Sequence, residues 1–172
     1  LSSGLCSLIE GEDRLALSLF LTIEEDGRVT SYRFERTWIR SAQRLDYEIA
    51  QQVLSGKLSV DPKTDAALEV LDRLARILRE RRTDRGSLDF DLPEAHVILD
   101  EEGSPVDIRK AEQLASHRLI EDFMILANEI VAQEAVRRRL PVPFRVHEPP
   151  AEDRVSELRE FLSSIGHSIP GG

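Results

Sequence analysis

The chain has 172 residues, 41% of them apolar and 32% charged, with a formal net charge of −9. This balance excludes a disordered chain. No apolar run approaches the ~20 residues of a membrane span, and the overall acidity argues against a general polyanion binder.

The chain opens on Leu1 without a methionine and ends at Pro170-Gly171-Gly172. It reads as a fragment, with residues 1–172 one piece of a single domain. Leu1-Ser2-Ser3-Gly4 has no basic region of the kind that begins a secretory signal. The one cysteine, Cys6, allows no internal disulfide and points to a reducing, cytoplasmic compartment. Set between Leu5 and Leu8, it is expected to be a small buried hydrophobe rather than a nucleophile.

A β-rich run at 15–23 leads into Asp26-Gly27, a hairpin turn signal, and an alternating strand follows at 29–38. Tyr32, Phe34 and Trp38 fall on one side of that strand. The row could stack bases, but a face packed into the core is the simpler expectation. Residues 45–55 form a short helix ended by Gly56. Asp61 and Pro62 start a long amphipathic helix, with Leu68, Leu71, Ile77 and Leu78 on its apolar stripe. Arg73, Arg76, Arg79 and Arg82 fall mostly off the stripe. Residues 73–85 carry six arginines against two acids, and Arg137, Arg138 and Arg139 make a second basic cluster. Both clusters fit a solvated helix face, or one wall of a basic channel.

A short strand is expected at 87–90, and a second hairpin at 95–109 turning at Glu102-Gly103. The next helix is expected over about 110–140, stopped by Pro141 and Pro143. The segment 144–148 reads as a short strand or extended chain, and a last helix over about 151–165 ends at Gly166. Two hairpins interleaved with several helices indicate an α+β fold with a mixed or antiparallel sheet.

On a wheel of about 100° per residue, Leu119, Ile120, Phe123, Met124, Leu126, Ala127, Ile130 and Val131 gather on one broad apolar face. Arg118, Asp122, Glu129 and Gln133 gather opposite, as a solvated face. His117, Glu121 and Asn128 form a narrow strip at the edge of the apolar face. A carboxylate at such a boundary is half-desolvated, which raises the value of any hydrogen bond it accepts. A plain surface pair of Glu121 with His117 is the alternative.

Five stretches in register resemble the catalytic domain of the ribonuclease II/ribonuclease R family. They are Leu1-Ser2 with Leu5-Cys6-Ser7-Leu8 and Arg14, ARIL at 75–78 before Arg85-Gly86, SLDF at 87–90, HRLIEDFMILAN at 117–128 and FRVHEPP at 144–150. The last stretch is most similar to the bacterial ribonuclease R branch. The resemblance covers essentially the whole chain and implies the central part of an RNB-type catalytic domain. It implies a processive 3′→5′ exoribonuclease that hydrolyses single-stranded RNA with divalent metal, Mg²⁺, in a parent protein with flanking RNA-binding domains.

By the same resemblance, Phe90 matches an aromatic that clamps stacked bases, and Tyr47 and Glu121 match residues that favour RNA over DNA. A carboxylate that accepts from a 2′-hydroxyl separates ribose from deoxyribose. Arg145 and His147 fall in a motif near the RNA channel. The family's metal-binding aspartates and its catalytic arginine belong to motifs not found in these 172 residues. No catalytic or metal-binding residue is therefore expected here, and the chain alone should bind no Mg²⁺ and cleave no RNA. The histidines lack metal-ligand spacing. A non-catalytic RNA-binding or protein-interaction module on the same fold is the alternative.

Overall fold

The computed structural model describes residues 4–88, 95–100, 102–110 and 113–168. The expected strand at 87–90 lies half outside these, since Asp89 and Phe90 are not among them, while Ser87 and Leu88 carry no strand pairing.

The first hairpin pairs β1 (Asp13–Ile23) with β2 (Val29–Arg40) in antiparallel register, Leu15 opposite Trp38 and Leu19 opposite Phe34. At its open end Arg40 grips Asp13 through two bonds of 2.7 and 2.9 Å. That hydrogen-bonded guanidinium holds the Asp13 carboxyl below its usual range. At the other end Gly27 has φ +78° and is buried. A Cβ there would stand 2.8 Å from Ile77 Cγ2 and 3.0 Å from Arg81 Cδ, so the turn must be glycine to approach the next long helix. Arg81 also donates to the Asp26 carbonyl at 3.0 Å.

The aromatic row on β2 departs from expectation. Trp38 is 73% exposed, as are Leu15 and Leu17 on the same side of the hairpin, and Tyr32 is also open. The turn end of the hairpin packs on the next long helix, whereas Leu15, Leu17 and Trp38 stay open. Cys6 is likewise exposed rather than buried.

Helix α1 (Tyr47–Leu54) is capped by Asp46, which accepts from the Ile49 amide at 2.7 Å. Gly56 follows it in the left-handed region. Helix α2 (Pro62–Asp84) begins as expected, with Asp61 accepting from the Lys63 and Thr64 amides. The second hairpin joins β3 (Ala95–Leu99) to β4 (Pro105–Lys110), also antiparallel. Its turn is held by Asp100, which accepts from the Ser104 amide at 2.7 Å.

Helix α3 runs Ala115–Arg137 and stops before the prolines. Arg139 adopts φ +54°, and the Leu140 and Arg139 amides bond back to the Ala135 and Val136 carbonyls. This is a Schellman closure with arginine in the position glycine usually takes. Pro141 contributes by turning Leu140 away from helical geometry. The segment 144–148 is exposed and unpaired, and α4 (Glu152–Ser164) is followed by Gly166 at φ +85°.

The architecture is α+β, with four helices and two antiparallel hairpins among the described residues. The chain forms two compact units, Leu1–Val131 and Ala132–Gly172. Ala75, Leu119 and Ile130 are buried in the first, and Ala135 in the second. In the second unit the buried Glu134 takes Arg137 at 2.7 Å and also pairs with Arg138, so two of the three clustered arginines serve an internal carboxylate.

Candidate nucleic-acid interface

The buried side of α3 is turned from the expected one. Ser116, Leu119, Asp122 and Ile130 are buried, whereas Ile120, Met124 and Val131 are at least half exposed. At 100° per residue this is a rotation of roughly 50° toward Asp122. Asp122 is therefore not on a solvated face, since its side chain is 1% exposed. The cause is α2. Arg79 donates to Asp122 Oδ2 at 2.6 Å, and Arg82 Nη1 stands 3.0 Å from Oδ1. One turn further along α2, Arg85 reaches Glu129 at 3.1 Å. The arginines that the sequence leaves off the stripe form a ladder that lays α2 along α3. Arg76 pairs with Asp72 and Arg81 with Asp26, so carboxylates of this chain engage most of the basic cluster at 73–85.

The turned helix opens its other edge. His117, Glu121 and Asn128 fall on one strip, bordered by the exposed Ile120, Met124 and Val131. Tyr47 meets this strip at its first turn. Its ring lies over the His117 imidazole, with centroids 4.1 Å apart and planes 31° from parallel. The imidazole is fixed in turn, because Nδ1 accepts from the Leu114 amide at 3.1 Å. In the neutral ring the proton therefore sits on Nε2. The backbone beneath Tyr47 is tied to the same turn. The buried Ser116 hydroxyl donates to the Tyr47 carbonyl at 2.8 Å, and the Ser116 amide donates to Gln51 Oε1.

Tyr47 remains 43% exposed, so one side of its ring is available to a ligand. A cavity of 520 Å³ adjoins it, lined by residues including Leu45, Ala50, Leu68 and Leu119. Glu121 lies one helical turn beyond His117, its side chain 44% exposed and 3.9 Å from Arg82 Nη2. Its carboxylate thus faces Arg82 rather than pairing with His117 as a plain surface pair. Tyr47 and Glu121 share one surface through His117, although they are far apart in the sequence.

Phe90 lies outside the described residues. Arg145 and His147 are exposed on the unpaired segment of the second unit. The sequence alone does not show His117 as a support for Tyr47 or Arg82 as a partner of Glu121. The motif at 117–128 holds the first, but no sequence signal pairs residue 82 with residue 121. Among the described residues, no group of three or more His, Cys, Asp or Glu could hold a metal ion, so they do not fit a Mg²⁺ site. None of their helices is long and apolar enough to cross a membrane.

The RNB domain family matches residues 1–169. Ribonuclease R of Aquifex aeolicus is 41% identical over 172 residues, which cover 98% of this chain and 24% of that protein. Ribonuclease R of Thermotoga maritima is 41% identical over 170 residues, covering 96% of this chain and 24% of that one. The chain thus spans about a quarter of the length of these curated relatives. Among solved structures, Mycoplasma genitalium RNase R in complex with ribose methylated single-stranded RNA superposes with a TM-score of 0.92 at 24% identity. That match covers 98% of this chain and 27% of the other. The same enzyme in complex with double-stranded RNA gives 0.91. At this identity the likeness establishes the fold.

Proposed function

The chain belongs to the RNB domain family, and on that premise we propose that it is the RNA-channel portion of the single catalytic domain of a 3′→5′ exoribonuclease. The observation that carries the proposal is the family match across 169 residues. RNA as the ligand is supported by the related enzyme of M. genitalium, solved with single-stranded and with double-stranded RNA. The parent protein hydrolyses single-stranded RNA processively in the cytoplasm, with flanking domains that feed it substrate.

In this proposal the open carboxylate of Glu121 accepts a hydrogen bond from a ribose 2′-hydroxyl. Deoxyribose has no donor there, so DNA leaves that acceptor unused. The flat face of Tyr47, backed by His117, restricts the sugar beside it. Phe90 stacks a base, which suits an enzyme that must accept every base in turn. Arg145 meets a phosphate, with His147 beside it in the same segment. The Mg²⁺ ligands belong to other parts of the parent protein, and the isolated chain does not cleave RNA.

The test is the full-length protein with 5′-labelled RNA and Mg²⁺. A ladder shortening from the 3′ end is expected, and internal cuts or intact RNA would refute the activity. Glu121→Ala in that protein is expected to cut the preference for RNA over DNA by about 10- to 100-fold, as for one lost hydrogen bond to a charged group. An unchanged preference would remove the ribose role. The purified 172-residue chain, given the same RNA, should leave it at full length.

A further inference from the structure

Two carboxylates sit next to each other on α3 and differ sharply in setting. Asp122 is buried, whereas the Glu121 side chain is 44% exposed. One guanidinium faces both. Arg82 places Nη1 3.0 Å from Asp122 Oδ1 and Nη2 3.9 Å from Glu121 Oε1, and its own side chain is only 19% exposed. Arg79 approaches Asp122 from the other oxygen and makes the aligned hydrogen bond at 2.6 Å. Asp122 Oδ1 receives Arg82 off the hydrogen-bonding angle, consistent with a guanidinium shared between two acceptors.

We propose that Arg82 is a positioning residue for RNA selection, anchored on buried Asp122 so that its second nitrogen holds Glu121 toward the ribose. The inference rests on the ribose role of Glu121 given above. An exposed glutamate has three rotatable bonds and no fixed direction. A charge 3.9 Å away, itself fixed by a buried partner, narrows that freedom without covering the oxygens. Glu121 then meets the sugar already oriented, and the ordering cost falls on the folded protein rather than on binding. Planarity is essential to this role. A guanidinium presents two separate nitrogens in a rigid fork, whereas a lysine ammonium is one point and cannot address both carboxylates in the same way.

Arg79 provides the internal control, because it bonds the same buried aspartate while Arg82 is the arginine that faces Glu121. In the full-length protein, held in a chelator so that nothing is cleaved, affinities for an oligoadenylate and an oligodeoxyadenylate of equal length give the discrimination ratio. Arg82→Lys keeps a charge beside Asp122 and is expected to fold, yet to lose about five- to tenfold in that ratio, less than full removal of the acceptor. Arg82→Gln should lose at least as much. Arg79→Gln should lower thermal stability but leave the ratio as in the parent.

In a Glu121→Ala background, Arg82→Lys should change the ratio no further. Three results would overturn the inference: Arg82→Lys keeping the full ratio, Arg79→Gln losing as much as Arg82→Lys, or RNA and DNA weakening equally as for a direct phosphate contact. If Glu121→Ala alone leaves discrimination intact, the ribose reading itself has failed. If that variant loses discrimination and Arg82→Lys does not, only the positioning role has failed.

Discussion

Replacing Asp122 by asparagine should destabilise the α2–α3 seam far more than an isosteric change at the surface. The carboxylate is 1% exposed and faces two guanidiniums at 2.6 and 3.0 Å. Asparagine keeps an oxygen for one of them and turns an amide donor toward the other. Arg79 then loses its counter-charge, and Arg82 keeps only Glu121 at 3.9 Å. Removing one partner of a buried ion pair costs about 3–5 kcal/mol. Here the Arg79 and Arg82 side chains keep 25% and 19% exposure, so water recovers part of the loss. An estimate of about 2–4 kcal/mol follows. Hydrogen exchange suits the measurement because it reads local opening within a longer protein. At about 1.4 kcal/mol per factor of ten, amides of α2 and α3 should exchange roughly 30- to 1,000-fold faster. The exposed Arg154–Glu157 pair, 73% and 65% open, is the comparison. Glu157→Gln should alter exchange in α4 by no more than about fivefold. If Asp122→Asn accelerates α2 and α3 by less than about fivefold, the buried pair is not what joins the two helices.

Two further outcomes follow from the geometry, and a third from the base-stacking role proposed for Phe90. Gly27→Ala combines a left-handed φ of +78° with a Cβ placed 2.8 Å from Ile77. It should cost about 2–4 kcal/mol from strain and overpacking together, against about 1–2 kcal/mol for Gly56→Ala, where the space is open. Equal melting shifts for the two would refute the docking of the turn on α2.

Hydrogen bonds from Thr64 and from the Lys63 amide hold the Asp61 carboxyl below its usual value. A carboxyl lowered by folding stabilises above its unfolded pKa of about 3.9, and that stabilisation is lost as pH falls through the lower folded value. Acid should therefore weaken the start of α2, and Asp61→Asn, which caps without titrating, should flatten that dependence in amide exchange at 63–66. An identical acid response in the variant would count against the cap. For Phe90→Ala, a base-stacking role predicts RNA affinity lower by about 5- to 150-fold, or a longer end product, in the full-length protein. Unchanged affinity together with unchanged product length would exclude it.

Local chemistry was legible in the sequence. Asp26-Gly27 turns the first hairpin, Asp61-Pro62 starts α2, Gly56 and Gly166 follow helices, and strand alternation and helix periodicity place most elements within a few residues. Each of these depends on neighbours within about one turn, which the sequence displays directly. The helical wheel likewise sets Glu121 on the edge strip, where its side chain is 44% exposed. Tertiary packing decided the rest. Wheel position alone assigns Asp122 to solvent, because neighbouring residues of α3 cannot supply the two arginines that neutralise it, which lie 43 and 40 positions earlier in the chain. Once α2 contributes those charges, α3 turns its acidic edge inward and its Ile120–Met124 edge outward, and Glu121 is left open one turn from the His117 on which Tyr47 stacks. Trp38 and Cys6 reverse expectation for a related reason: apolarity states what a side chain would bury, but only the three-dimensional arrangement supplies something to bury it against.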